Sequence, residues 1–174
     1  GLAAAIIVAS GDFTQRAKRE QFALARKFLD KLPQVPLVVV PGNHDVPLYR
    51  FRERLFDPYG LYREYISEQF DHVLKLDDIV IVALNSTSPV RAVTNGRIHL
   101  EQLEFCAQAL SEVPDGAVKI VVSHHHFAPA PDFERDQVMP RAKRAMDRFV
   151  DLGVDVVMGG HLHRAYIGNS LDIY

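Results

Sequence analysis

The chain has 174 residues, 48% of them hydrophobic and 24% charged, with a formal net charge of −2. That length supports a single domain, residues 1–174, with a sizeable core, and the near-neutral charge argues against a dedicated nucleic-acid binder, whose surface would be basic. No apolar stretch approaches the roughly 20 residues of a membrane span and no signal peptide is visible; the single cysteine, Cys106, excludes an internal disulfide and fits a reducing, cytoplasmic setting.

The opening run AAAIIVAS reads as a buried strand ending at Gly11-Asp12. The spacing predicts a helix from about Arg16 to Lys31, with Phe22, Ala25, Phe28, Leu29 and Leu32 on one face. Pro33 and Pro36 close it, and LVVV (37–40) forms the next buried strand. Strand, helix, strand with short links implies a right-handed parallel unit. Two short helices rich in Tyr, Phe and Arg are expected within 47–56 and 61–70, then two strands, 72–76 and 79–85, turning at Asp77-Asp78. The segment Ser86–Gly96 carries Pro89 and Asn95-Gly96 and reads as a loop, in which Arg91, and Arg97 just beyond it, are solvated charges.

A second amphipathic helix covers roughly Leu100 to Val113 and places Cys106 among Leu103, Ala107 and Leu110, as a buried structural thiol rather than a nucleophile. The strand 118–123 leads into His124, a third helix spans roughly Val138 to Leu152, and VDVVMGG is a further strand leading into His161. The run RAYIG (164–168) reads as the start of another.

Polar residues recur at these strand ends. Asp12, Asn43-His44, His124 and the pair His161-x-His163 each follow the C-terminal end of a hydrophobic strand. In an open α/β sheet such ends converge on one crevice, where ligands bind. Six of the eight histidines, His44, His124, His125, His126, His161 and His163, belong to this set, while His72 and His99 stand apart as surface or packing residues. A mixed set of carboxylate, amide oxygen and imidazole suits manganese, iron(II), zinc or nickel rather than calcium. Each piece alone has a plainer explanation: Gly-Asp and Gly-Asn are common turn pairs. Four such pieces, all at strand ends, do not.

The segments SGDFTQ, PGNHDVP, VVSHHHF and GGHLHRAY resemble the successive motifs of the calcineurin-like metallophosphoesterases, and among these the bacterial cyclic-nucleotide phosphodiesterase-like enzymes. The resemblance implies an α/β sandwich of two mixed β-sheets flanked by helices, and hydrolysis of a phosphodiester or phosphomonoester with two divalent metal ions (manganese, iron, zinc or nickel). By the resemblance, Asp12 would bridge both ions; Asn43, His124 and His161 would complete the second site, and His163 would bind the first. His125 is the alternative to His124, because the proline that usually follows the paired histidines is replaced here. His44 would stabilise charge or protonate the leaving oxygen, and Asp45 would orient His44 or the turn. The partner implied is a small-molecule phosphoester, with neither nucleic acid nor membrane.

The family's opening strand carries Asp-x-His, the other two ligands of the first ion, and this pattern is absent from the sequence. The expectation is therefore that the N-terminal strand of the fold lies upstream of Gly1. The chain by itself would then hold about one ion, hydrolyse phosphodiesters poorly, and tend to associate through an unpaired edge beside the first strand. A non-catalytic interaction scaffold of the same fold is the rival reading, and the intact His44 weighs against it.

Overall fold

The computed structural model describes residues 5–90, 94–114, 116–129, 138–163 and 166–169. Strand β1 (Ile7–Ala9) leads through helix α1 (Arg19–Leu29) to strand β2 (Leu37–Val39), and the two strands pair in parallel with Val8 opposite Val38. A 3₁₀ turn at Asn43–Asp45 and the short helices α2 (Phe51–Phe56) and α3 (Gly60–Tyr65) follow. Strands β3 (His72–Lys75) and β4 (Ile79–Ala83) form an antiparallel hairpin whose turn is closed by the Leu76 N–H donating to the Ile79 carbonyl. Helix α4 (Leu100–Leu110), strand β5 (Val118–Val122), helix α5 (Ala142–Asp151) and strand β6 (Val156–Met158) complete the order. Strands β3-β4-β5-β6 make a mixed four-stranded sheet, in which β4, β5 and β6 run parallel.

The layering follows from alternation along β4 and β5. Val80, Val82 and Leu84 join Val121 in one core cluster with Leu103, Cys106 and Leu110 of α4 and Ala145 and Phe149 of α5. The intervening Ile81 and Ala83 join Val122, Val38 and Val40 in a second cluster with Val8 beside them, so the β1-β2 sheet covers the other face. Successive side chains of a strand point to opposite faces, and here both faces are dry. This is the expected α/β sandwich, one sheet mixed and the other parallel. Cys106 is fully buried, and burial pushes its thiol up to about 12, which removes it as a nucleophile. No helix of the described residues is long and apolar enough to cross a membrane.

Two expectations fail. Phe28 was placed on the buried face of the first helix, but it is 64% exposed whereas Phe22 and Leu29 are buried. At roughly 100° per residue, Leu29 returns to the angle of Phe22, while Phe28 stands about 120° away, outside the buried stripe. Nor is a strand formed over the described part of RAYIG. Arg164 and Ala165 lie outside the described residues; residues 166–168 are irregular, and the Tyr166 hydroxyl donates to the Ala128 carbonyl at 2.8 Å. Arg91 likewise lies outside the described residues. Arg97 lines a small cleft with His99, Glu101, Arg141 and Arg144, and its N–H donates to the Ser86 carbonyl.

Phe149 and Phe28 give the packing a direct test. Phe149 is 1% exposed and meets Phe127 edge to face at 5.3 Å between ring centres. Phe149→Ala is expected to lower unfolding free energy by about 3–5 kcal/mol, and Phe28→Ser to change it by no more than about 0.5 kcal/mol, both read by urea unfolding.

Candidate metal centre

Because β1 and β2 run parallel to each other, as do β4, β5 and β6, their C-terminal ends open on one side of the fold. β1 delivers Asp12, β2 delivers Asn43 and His44, β5 delivers His124 and β6 delivers His161. Pairing continues past the last two strands: the Ser123 N–H donates to Met158 and the Gly160 N–H to His124, locking the two histidine turns together. The first two loops touch through glycine. A Cβ on Gly11 (φ +93°) would lie 2.6 Å from Gly42 N and 2.8 Å from His124 Nδ1, and one on Gly42 would overlap Asp12 Oδ1.

The side chains that meet there turn oxygen and ring-nitrogen atoms towards one another. His124 is 1% exposed, and its Nδ1–H donates to the Ser10 carbonyl at 2.7 Å, which leaves Nε2 as a lone pair in the neutral ring. That Nε2 lies 3.0 Å from Asn43 Oδ1, 3.3 Å from His161 Nδ1 and 3.5 Å from Asp12 Oδ1, and His161 Nδ1 is itself 3.0 Å from Asn43 Oδ1. Burial lowers the pKa of His124, and the same cause together with the neighbouring His124 brings His161 down to about 4. The rings are therefore neutral, and the contact between His124 and Asp12 is not an ion pair. A carboxylate, an amide oxygen and two neutral imidazoles facing one point fit a divalent cation of the first transition row.

Backbone geometry marks the same place. Of the five non-glycine residues with positive φ among those described, three are Asp12 (58°), His161 (68°) and His163 (52°). Such conformations cost energy and persist where the surroundings over-determine them. His163 does not join the inner cluster; it lines an open groove of about 600 Å³ with Asp12, Thr14, Gln15, Leu24 and His44.

His44 and Asp45 leave the same 3₁₀ turn in different directions. The exposed His44 ring faces the Gln15 carbonyl through Nδ1 at 2.8 Å, and the His44 backbone N–H donates to Asp12 Oδ1 at 3.0 Å. Asp45 is 1% exposed and accepts the backbone N–H groups of Phe13 (3.2 Å), Thr14 (2.9 Å) and Gly42 (2.9 Å). Its carboxylate thus holds the two loops, and the His44 ring is fixed by Gln15 instead.

The apolar-to-polar transitions along the sequence did not reveal Ser86, and the family resemblance gave His125 only as an alternative to His124. His125 stands beside the cluster: ligand atoms of His124, His125 and His161 all lie within 4.8 Å of one another. Ser86 follows the end of β4, as the other groups follow theirs, and that position was the available signal.

A comparison with known protein families matches the description calcineurin-like phosphoesterase over residues 3–165. The chain belongs to that family. A protein of Arcobacter nitrofigilis described as a probable glycerophosphodiester phosphodiesterase GpdQ is 28% identical over 120 residues, covering 68% of this chain and 41% of its own length. The chain thus spans about two fifths of that curated relative. Family membership accounts for the fold and for a site whose histidines suit divalent-metal chemistry.

The buried rings predict a pH dependence for the metal-free chain. Burial, then neighbouring imidazoles, lowers His125 to about 2 and His161 to about 4, and lowers His124 and His126 also, from an ordinary 6.5. Unfolding returns the rings to that ordinary value, so below it the unfolded chain holds more protons. The stability they contribute is complete above about 6.5 and is lost as pH falls towards about 4. Asp45, pushed up to about 7 by burial, acts in the opposite sense, as one group against four rings. Thermal unfolding with a chelator should show a lower Tm at pH about 5 than at about 7; a flat or inverted profile would mean that the rings are charged in the fold.

Proposed function

We propose that the chain is a metal-dependent phosphodiesterase acting on a small phosphodiester, with phosphomonoesters as poorer substrates. The observation that carries this reading is the convergence of Asp12, Asn43, His124 and His161 on one point, where the His124 Nε2 lone pair stands 3.0 Å from Asn43 Oδ1 and 3.5 Å from Asp12 Oδ1. Asp12, Asn43, His124 and His161 would hold one divalent ion (manganese, iron, zinc or nickel), and Asp12 with His163 would contribute to a second. Ions bound there would supply neutralisation of the phosphate charge and a water acidified for attack.

The residues of the chain do the rest. Asn43 presents its amide oxygen because its backbone is the start of the 3₁₀ turn. His124 is held in one tautomer by Ser10, and only its Nε2 faces the site. His44 commits Nδ1–H to Gln15, so in the imidazolium form Nε2–H would be the donor that gives its proton to the departing alkoxide, leaving the ring neutral. Asp45 contributes by fixing the turn from which His44 projects. The open groove between His44 and His163 receives the substrate. The name of the Arcobacter relative favours a glycerol-type diester, and the motifs favour a cyclic-nucleotide-like one; phosphate recognition is common to both. A cytoplasmic setting belongs to the same reading, supported by the single buried thiol.

The test is hydrolysis of bis-p-nitrophenyl phosphate, cyclic nucleotides, glycerophosphodiesters and phosphomonoesters by the chain with and without added manganese. Turnover of a diester that disappears with a chelator is the expected result. Weak turnover with one ion is the outcome expected when Asp12 and His163 alone serve the first ion; a chain that binds two ions and turns over none of the substrates would be a scaffold of the same fold. His44→Ala should keep the metal yet lose about 10²–10⁴-fold in turnover, with a smaller loss for p-nitrophenyl leaving groups, which need little protonation. Equal losses across leaving groups would assign His44 to charge stabilisation instead.

A further inference from the structure

His125 is 1% exposed, and its Nε2 has no hydrogen-bond partner. A buried imidazole nitrogen left without a partner costs roughly 1–3 kcal/mol, and native proteins seldom tolerate it without a reason. The ring is not loosely placed. Its centre lies 4.8 Å from that of His124 and 4.9 Å from that of His161. Its Nδ1 is 2.8 Å from Ser86 Oγ, which also accepts the His125 backbone N–H at 3.0 Å. Ser86 is fully buried. The other wall is Gly96, at φ +69°, where any Cβ would overlap the His125 ring. Three separate pieces of chain therefore hold one orientation: the end of β4, the glycine turn before α4, and the end of β5.

We propose that His125 is a third imidazole ligand of the ion bound by Asp12, Asn43, His124 and His161, and that Ser86 is its positioning partner. The proposal rests on the metal reading given above and adds to it a donor and the group that aims it. With the proton on Nδ1, the ring donates to Ser86 Oγ and Nε2 is left as a lone pair beside the other two imidazoles. Ligand atoms of the three histidines lie within 4.8 Å of one another. Two imidazole nitrogens placed trans on one ion stand about 4.2 Å apart, so a movement of less than about 1 Å brings all three into one coordination sphere. His126 has both ring nitrogens unpartnered and stacks on His161 at 5.9 Å, but it is not a member of that cluster. An unpartnered nitrogen does not by itself mark a ligand, since His126 has two; what sets His125 apart is its place within ligand reach of His124 and His161.

The experiment loads the full chain with one equivalent of cobalt(II) and counts imidazole nitrogens by X-ray absorption. Three are expected. Two would overturn the proposal and leave the metal centre standing, whereas failure to bind cobalt would overturn both. The count is made on the unaltered chain, so it does not depend on a variant folding. His125→Ala and Ser86→Ala, checked for native circular dichroism, should each weaken cobalt binding by about 10–100-fold and change the cobalt visible spectrum. Unchanged affinity and spectrum in folded His125→Ala would also overturn it.

Discussion

The geometry at the strand ends depends on one close contact, between the loop that follows β1 and the loop that follows β2. These strands pair over three residues each, too few to hold their ends in a fixed relation without help. The help comes from Gly11 and Gly42, which pass each other where neither position has room for a Cβ, and from Asp45, which gathers the N–H groups of both loops on one buried carboxylate. Burial pushes Asp45 up to about 7, while its three N–H donors favour the charged form. A carboxylate in that position is a clamp. It places Asp12 and Asn43 on either side of a gap, with His124 entering beneath them through its bond to Ser10.

What was legible in the sequence follows from this hierarchy. Apolar runs bounded by glycine and polar residues give buried strands directly, so β2, β4 and β5 and the residues just after β1, β2, β5 and β6 could be read without coordinates. The turn at Asp77-Asp78 was legible for the same reason, since two apolar runs so close together have no other way to pair. Phe28 was misplaced because a helix drawn with a wide apolar face absorbs any aromatic residue near its edge, and only the neighbours decide which angle is dry. The RAYIG strand failed differently: its alternation is strand-like, but a strand exists only with a partner.

Ser86 was missed for a third reason, although its place after β4 was visible. Its hydroxyl is unremarkable in a loop of Ser, Thr and Asn, and it acquires meaning only when His125, 39 positions away, arrives opposite it. Side chains that act on other side chains leave no local pattern in a sequence, whereas groups that terminate a strand do. This also explains why Asp45 could be read as either a partner of His44 or a turn residue from sequence alone. The two roles demand the same residue at the same place, and the buried direction of its carboxylate separates them.

The donor set and the backbone beneath it point the same way. Left-handed conformations at Asp12, His161 and His163 raise the energy of the fold, and so does the lone pair of His124 Nε2 facing Asn43 Oδ1 at 3.0 Å. A purely structural cluster would relieve both by turning an amide or protonating a ring, but burial opposes the second and the Ser10 bond fixes the ring that would have to change. A cation bound there, as proposed, would relieve them together, because it would convert the repulsion between His124 Nε2 and Asn43 Oδ1 into shared attraction. The binding energy of such an ion is then partly folding energy for this corner of the molecule. The strand-end loops are thus the part of the structure whose order is most closely tied to the occupancy of the site they build.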